Sequence, residues 1–373
     1  MNGSSTLRAG ILQRVLPDYR LPFFEALAQA LPGGLSVFAG DALPEENIQS
    51  TAGLHTARLE KARNRYLGSP GRPFFACWQG GLRRWLETWQ PQILIVEANP
   101  RLLSTRLAVR WMHWRGLPVI GWGLGAPPIR GVPARLRGWE RASFLRSLDG
   151  WIAYSRRGAE EYRRLGLSNE RIWVAHNAAA GRPAAPLPHR PSAFSGRPVA
   201  LFVGRLQARK RIDLLLQACS SLPEAIQPQL CITGDGPARE AWIALSERIY
   251  PRAEFTGARY GAALDETFDR ADVFVLPGTG GLAIQQALAH GLPVIVAQGD
   301  GTQDDLVRPE NGWLIPPGDV GALVRALQSA LSDVTQLRKM GAESYRIAVE
   351  EINLETMVAV FMQAIQAVTA PDQ

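Results

Sequence analysis

Cysteine is scarce in this sequence. The 373 residues contain three, Cys77, Cys219 and Cys231, an odd number with no C-x-x-C pair, which excludes a disulfide framework and a paired-thiol zinc site. Histidine is nearly as rare at five, none is spaced as a paired ligand, and no D-x-D triplet occurs, so no metal site is expected. Long apolar runs are missing too, and none approaches the roughly 18 residues of a membrane span. The N-terminal stretch MNGSSTLRAGILQRVLPDYR lacks the continuous apolar segment of a secretion signal, so the expected location is cytoplasmic. No self-similarity of solenoid period appears, and 46% apolar with 20% charged residues excludes disordered and coiled-coil classes.

Lysine is almost absent as well: Lys61, Lys210 and Lys339 are three of 41 basic residues, the rest being arginine. The positive charge is also unevenly placed. Residues 1–180 carry 24 basic against 13 acidic side chains, net +11, and residues 181–373 carry 17 against 21, net −4. The Pro- and Ala-rich stretch AAAGRPAAPLPHRPSAFSGRP (178–198) lies at the same break and reads as a linker. On either side, short apolar runs alternate with amphipathic stretches, the pattern of βαβ units and parallel sheets. The first half predicts strands at 8–15, 35–38, 92–96, 118–122, 151–154 and 172–175. The second predicts strands at 198–204, 230–234, 253–257, 272–277 and 293–297 with a short one at 312–315, and helices between them. The expected architecture is α/β, with two Rossmann-like doubly wound domains facing across a cleft: 1–180, 181–352, and a last helix in 353–373 packing back on the first domain. Ligands of such sheets bind outside the carboxyl ends of the strands.

The chemistry-bearing segments lie at those ends. In VGRLQARKR (203–211) a strand stops at Gly204 and offers Arg205 and Lys210 to a helix start, a pair suited to a diphosphate. ITGDGPARE (232–240) places Gly234, Asp235 and Gly236 at the next strand end, and EFTGARY places Gly257 at another. In ADVFVLPGTGGLAIQQALAHGLPVIVAQGDG (271–301), a strand ending at Pro277 leads through a Gly-rich turn into a helix opening at Leu282. In the first half, Asp18 and Arg20 follow the first strand. They are either polar groups of the cleft, with Asp18 the catalytic candidate, or an N-cap and a surface arginine.

In order, VGRLQARK, TGDGP, FTG and QALAHGLPVI, followed by NGWLIPPGD, resemble the second domain of the family 4 glycosyltransferases of GT-B fold. GLPVIGWGLG (116–125), SLDGWIAYSRRGAEEYRRLG and LPDYRLPFFEAL give a looser match in the first half. The resemblance is nearest to enzymes that build envelope or extracellular polysaccharide and glycolipid. It implies a nucleoside-diphosphate-sugar donor, UDP- or GDP-linked as in such enzymes, transfer to a glycan or lipid-linked acceptor with retention of anomeric configuration, and no metal or other cofactor. It further implies that Arg205 and Lys210 hold the diphosphate, that Gly257 borders the base, that Gly204, Gly234 and Asp235 shape the donor-side turns, and that Gly280, Gly281 and Leu282 offer N–H groups. Two departures stand out. The family places two glutamates eight positions apart, where this chain has Gly278 and Gln286, and Leu124 stands where many relatives carry a histidine.

Three stretches of the first half, 73–90, 104–116 and 133–148, are helical in pattern and combine Arg with Trp. Residues 101–150 hold nine Arg against Glu140 and Asp149. Such segments suit peripheral contact with the anionic inner face of a membrane, with Arg-rich 130–146 the strongest, or else pack Trp on the sheet and expose Arg. No nucleic-acid-binding module accompanies the charge. Two rival functions remain: an NAD(P)-dependent oxidoreductase, from GTGGLA (278–283) with Asp300 downstream, and a non-catalytic sugar-nucleotide-binding relative acting beside another transferase.

Overall fold

The computed structural model describes residues 6–46, 48, 53–68, 75–129, 131 and 134–370. Positions 73–74, 130 and 132–133 of the Arg/Trp stretches lie outside them. The chain forms two units, Met1–Ala179 with Leu354–Gln373, and Ala180–Asn353.

In unit 1 the strands are β1 (Ala9–Val15), β2 (Leu35–Gly40), β3 (Arg58–Lys61), β4 (Arg63–Leu67), β5 (Ala76–Gly80), β6 (Ile93–Glu97), β7 (Val119–Gly123), β8 (Gly150–Ala153) and β9 (Ile172–Val174). All but β4 and β5 form one parallel sheet of order β3-β2-β1-β6-β7-β8-β9, and β4 and β5 pair as a separate antiparallel hairpin. The helices are α1 (Leu21–Ala30), α2 (Leu82–Trp89), α3 (Leu103–His113), α4 (Ala134–Arg146) and α5 (Arg156–Arg164). Because strand side chains alternate, Ile11, Ile93 and Ile95 face one layer with Phe23 and Phe24 of α1. Leu12, Leu94 and Val96 face the other with Trp85 of α2, Met112 of α3 and Leu145 of α4.

Unit 2 has β10 (Val199–Val203), β11 (Gln229–Thr233), β12 (Ala253–Gly257), β13 (Val273–Leu276), β14 (Val294–Ala297) and β15 (Gly312–Ile315), all parallel, in the order β12-β11-β10-β13-β14-β15. Its helices are α6 (Ile212–Ser220), α7 (Arg239–Ile249), α8 (Ala262–Asp269), α9 (Leu282–Ala289), α10 (Gln303–Leu306), α11 (Val320–Ser332) and α12 (Val334–Glu350). The last helix, α13 (Leu354–Thr369), belongs to unit 1, where Phe361 meets Phe23 at 4.7 Å and Trp122 at 5.0 Å between ring centroids. In both sheets the winding direction reverses beside the first strand, between β1 and β6 and between β10 and β13. Such reversals open a crevice at the carboxyl ends of the strands.

One expectation needs correction. Residues 76–80 are a strand, not helix, and Gly81 at φ +95° separates them from α2. The Pro-rich stretch 178–198, read as a linker, has neither helix nor strand and begins at the boundary between the units, and Arg190 ties it to unit 2. That guanidinium donates to the carbonyls of Phe268 (3.1 Å), Ala271 (3.0 Å) and His290 (2.8 Å). Burial and the neighbouring Arg338 pull the Arg190 pKa below its ordinary value.

Candidate functional site

The carboxyl edge of the second sheet gathers every unit 2 residue singled out above. Gly204 follows β10, Gly234 and Asp235 follow β11, Gly257 ends β12, and residues 277–281 link β13 to α9. The loops interlock through backbone bonds: Gly204 N–H to Thr233 O (3.0 Å), Gly234 N–H to Gly257 O (2.8 Å) and Leu206 N–H to Asp235 O (2.8 Å). A Cβ on Gly234 would lie 2.0 Å from the Gly204 carbonyl, and one on Gly236 2.4 Å from that of Leu206. These two glycines therefore let strand-end loops approach each other. Gly257 at φ +73° has open space beside it, as a residue bordering a ligand would. Asp235 is exposed, and its Oδ1 accepts from Gly236 N–H at 2.7 Å.

Lys210 sits in the crevice between β10 and β13. A short turn, Ala208–Lys210, delivers it from the surface into a buried position, where its Nζ donates to Thr279 O at 2.7 Å. The ammonium lies against Gly280, where a Cβ would come within 2.5 Å of Nζ. Burial and the adjacent Arg209 push its pKa down to about 8, and no carboxylate is among the groups acting on it. Arg205 is exposed and makes no ion pair among the described residues. Arg209 clamps the facing turn, donating to Thr279 Oγ1 at 3.0 Å while its carbonyl accepts from Thr279 N–H at 3.2 Å. The N–H groups of Gly280, Gly281 and Leu282 at the start of α9 have no partner among the described residues, and one turn further along the helix the Gln286 side chain is exposed. Lys210 and Arg209 both meet Thr279 beside the row of free N–H groups, an arrangement suited to a diphosphate, with Arg205 exposed on the same strand-end loop.

Sequence reading missed Gln303. It is buried, its Nε2 donates to Gly280 O at 3.0 Å, and its Oε1 has no partner. Its position just after β14, at the same sheet edge, was the available signal. The missing family glutamate has a steric cause. A Cβ on Gly278 would stand 2.2 Å from Arg209 O and 2.6 Å from Lys210 Cα, so the turn can follow this path only with glycine. The G-x-G-x-x-A run follows β13, the fourth strand of its sheet in chain order, whereas a dinucleotide fingerprint follows the first.

Unit 1 presents its own polar cluster at the corresponding crevice. Arg20 donates to Gln13 Oε1 (2.8 Å) and to the Tyr154 hydroxyl (2.9 Å), and lies 4.5 Å above the Trp122 ring. Burial opposes its charge, but Tyr154, Tyr19 and Glu97 outweigh that and hold its pKa above the ordinary value. Asp18 has a buried Oδ1 without a partner and caps no helix, since Arg20 occupies the N-cap of α1. The N-cap and surface-arginine alternatives are therefore not what the structure contains. Glu97 accepts from Arg14 N–H at 2.6 Å, and burial pushes its carboxyl pKa up. Leu124 is partly exposed on the loop after β7.

Two doubly wound parallel units of this order define a GT-B architecture, and solved structures share it across the whole chain. Sucrose-phosphate synthase from Thermosynechococcus elongatus superimposes with a TM-score of 0.70 at 19% identity, covering 97% of this chain and 99% of that one. Anabaena HepE in complex with UDP gives 0.71 at 16%, covering 97% and 100%. The family model for glycosyl transferases group 1 matches residues 188–347 and that for glycosyltransferase family 4 matches residues 35–179. The chain belongs to glycosyltransferase family 4. Among curated relatives, the sulfoquinovosyl transferase of Arabidopsis thaliana is 34% identical over 37% of this chain and 27% of its own length. A GDP-mannose-dependent alpha-mannosyltransferase of Mycobacterium tuberculosis is 39% identical over 33% and 32%. A lipopolysaccharide core biosynthesis glycosyltransferase of Rhizobium meliloti is 24% identical over 60% and 66%. The matched stretches thus span less than two thirds of these relatives' own lengths.

Proposed function

We propose that this chain transfers a sugar from a nucleoside-diphosphate sugar to a glycan or lipid-linked acceptor during envelope polysaccharide or glycolipid synthesis. The observation that carries this reading is Lys210, a buried cation without a counter-ion, facing the free N–H groups of 280–282. The protein supplies no anion there, and a diphosphate would. The bond between the anomeric carbon and the β-phosphate oxygen breaks, and Lys210 and Arg205 neutralise the charge gathering on that oxygen in place of a metal. The acceptor oxygen bonds to the anomeric carbon on the face being vacated, and its proton passes to the leaving phosphate, so configuration is retained. A UDP- or GDP-linked donor is supported by the UDP bound to Anabaena HepE and by the GDP-mannose dependence in the name of the mycobacterial relative. The envelope role is supported by the name of the Rhizobium relative.

No single helix among the described residues is long and apolar enough to cross a membrane. Peripheral contact at the inner membrane face is supported by exposed Trp114 and Trp139, at 81% and 68%, and by Leu107 and Leu136 beside the arginines of α3 and α4.

The test is thermal-shift screening of the protein with UDP, GDP, ADP, TDP, their sugars and NAD(P), without added metal. One nucleoside diphosphate is expected to stabilise it. Arg205→Ala is expected to lower kcat/KM for that donor by about 100- to 1000-fold, the range for losing a preorganised charge donor. A response to NAD(P) alone would move the assignment to a dehydrogenase, and nucleotide binding without transfer to a non-catalytic relative.

A further inference from the structure

Unit 1 contains a cavity of about 640 Å³ at the carboxyl ends of β6, β7 and β8, lined by unit 1 residues. Its floor and sides include Trp122, Tyr154 and Glu97, and its rim includes Arg101, Arg137 and Arg141. The Trp122 indole N–H is buried and has no partner, a donor awaiting an acceptor from outside the chain. Trp122 is itself buried, with Arg20 above its ring, so it backs the wall, and the partly exposed Tyr154 offers the aromatic surface beside which a sugar ring can lie.

The charge around this cavity does not balance. Glu140 is paired with Arg106 at 2.8 Å, and Glu97 already accepts from Arg14 N–H. Arg101 and Arg137 have no ion-pair partner among the described residues. Arg141 donates to the carbonyls of Pro127 (2.7 Å) and Ala126 (3.2 Å), which fixes the loop after β7, while its Nε is buried without a partner. Arg137 stands one helical turn away, and burial together with that like charge holds Arg141 below its ordinary pKa. Arg101 and Arg137, partly buried and without ion-pair partners among the described residues, line a cavity whose own carboxylates, Glu97 and Glu140, bond to the Arg14 N–H and to Arg106, and the two guanidinium groups are suited to bidentate oxyacid groups.

We propose that this cavity receives the acceptor, and that the acceptor is a saccharide bearing an anionic substituent, a phosphate or a carboxylate, held by Arg101 and Arg137 while its ring lies beside Tyr154. The proposal rests on the transferase reading given above and specifies its acceptor class. Arg101 and Arg137 determine specificity through charge and geometry, and Tyr154 serves neutral and anionic sugars alike.

Isothermal titration of the full chain with glucose, glucose 6-phosphate, glucuronate and inorganic phosphate tests this. At least one anionic sugar is expected to bind tenfold or more tightly than glucose and than phosphate alone, and its identity tells a phosphorylated from a uronate acceptor. In Arg101→Ala/Arg137→Ala that preference is expected to disappear with Tm unchanged, and in Arg101→Lys/Arg137→Lys to survive in part. Glucose binding as tightly as both anionic sugars, phosphate alone matching them, no sugar binding, or a preference intact in the alanine double variant would each overturn the proposal. Nucleoside-diphosphate binding, followed in the same preparations, separates the two readings. Lost nucleotide binding with sugar selectivity intact counts against the transferase alone.

Discussion

Lys210 shows how one residue links stability to function. Moving a lysine from 10.5 to about 8 means that the folded protein disfavours the charged form by roughly 3 kcal/mol relative to the unfolded chain. The sign follows from proton counting. Between pH 8 and 10.5 the unfolded chain binds more protons than the folded one, so stability rises with pH through that window, and below pH 8 the full penalty is present. Lys210→Met removes the penalty and loses one hydrogen bond, to Thr279 O, worth about 1 kcal/mol. The variant is therefore expected to melt roughly 2–4 °C higher without ligand, while failing to bind a nucleoside diphosphate. A lower Tm would mean that the ammonium stabilises the turn it touches. The same pKa gives a pH profile, because only the charged form attracts phosphate. Donor binding is expected to weaken about tenfold per pH unit above 8, and Lys210→Arg to flatten that decline.

At the scale of elements, the turn from β13 to α9 was legible only in part. Its position was plain, since buried parallel strands read as continuous apolar runs ending at Gly or Pro, and the strands of unit 2 fall within about one residue of their expected ends. Its path was not, because that depends on contact with residues 209–210, some 70 positions earlier. Gly278→Glu, which restores the family's side chain, is accordingly expected to destabilise unit 2 by about 1–3 kcal/mol and to weaken nucleotide binding, because the turn must leave the Arg209 carbonyl. Unchanged urea midpoint and affinity would show that the turn moves freely. The same logic explains the misread β5. Trp78, Leu82 and Trp85 recur at helical spacing, and only the left-handed Gly81 between them separates strand from helix. Arg190 was illegible for a related reason: its partners are carbonyls about 80 to 100 residues away, and a carbonyl has no sequence signature. The position of Arg205 and Lys210 after the end of β10 was readable because the motif carrying them is local.

At the scale of the whole chain, α13 completes a unit whose other elements end near residue 179, so the sequence furthest from the unit 1 cavity supports one of its walls. Phe361 is fully buried and touches both Phe23 of α1 and Trp122, the ring that also lines the cavity and carries Arg20 on its other contacts. Truncating it leaves a void between three aromatic side chains that cannot all collapse inward, a change that ordinarily costs about 3–5 kcal/mol. Phe361→Ala is thus expected to speed hydrogen exchange in β1, β7 and α1, to weaken sugar binding in the cavity as Trp122 loses its backing, and to leave nucleotide affinity unchanged. The discriminating measurement is the pair of affinities in one preparation. Equal loss of both would mean that the packing of α13 supports the donor residues as well, whereas loss of sugar binding alone would show that the C-terminal helix acts through unit 1 only.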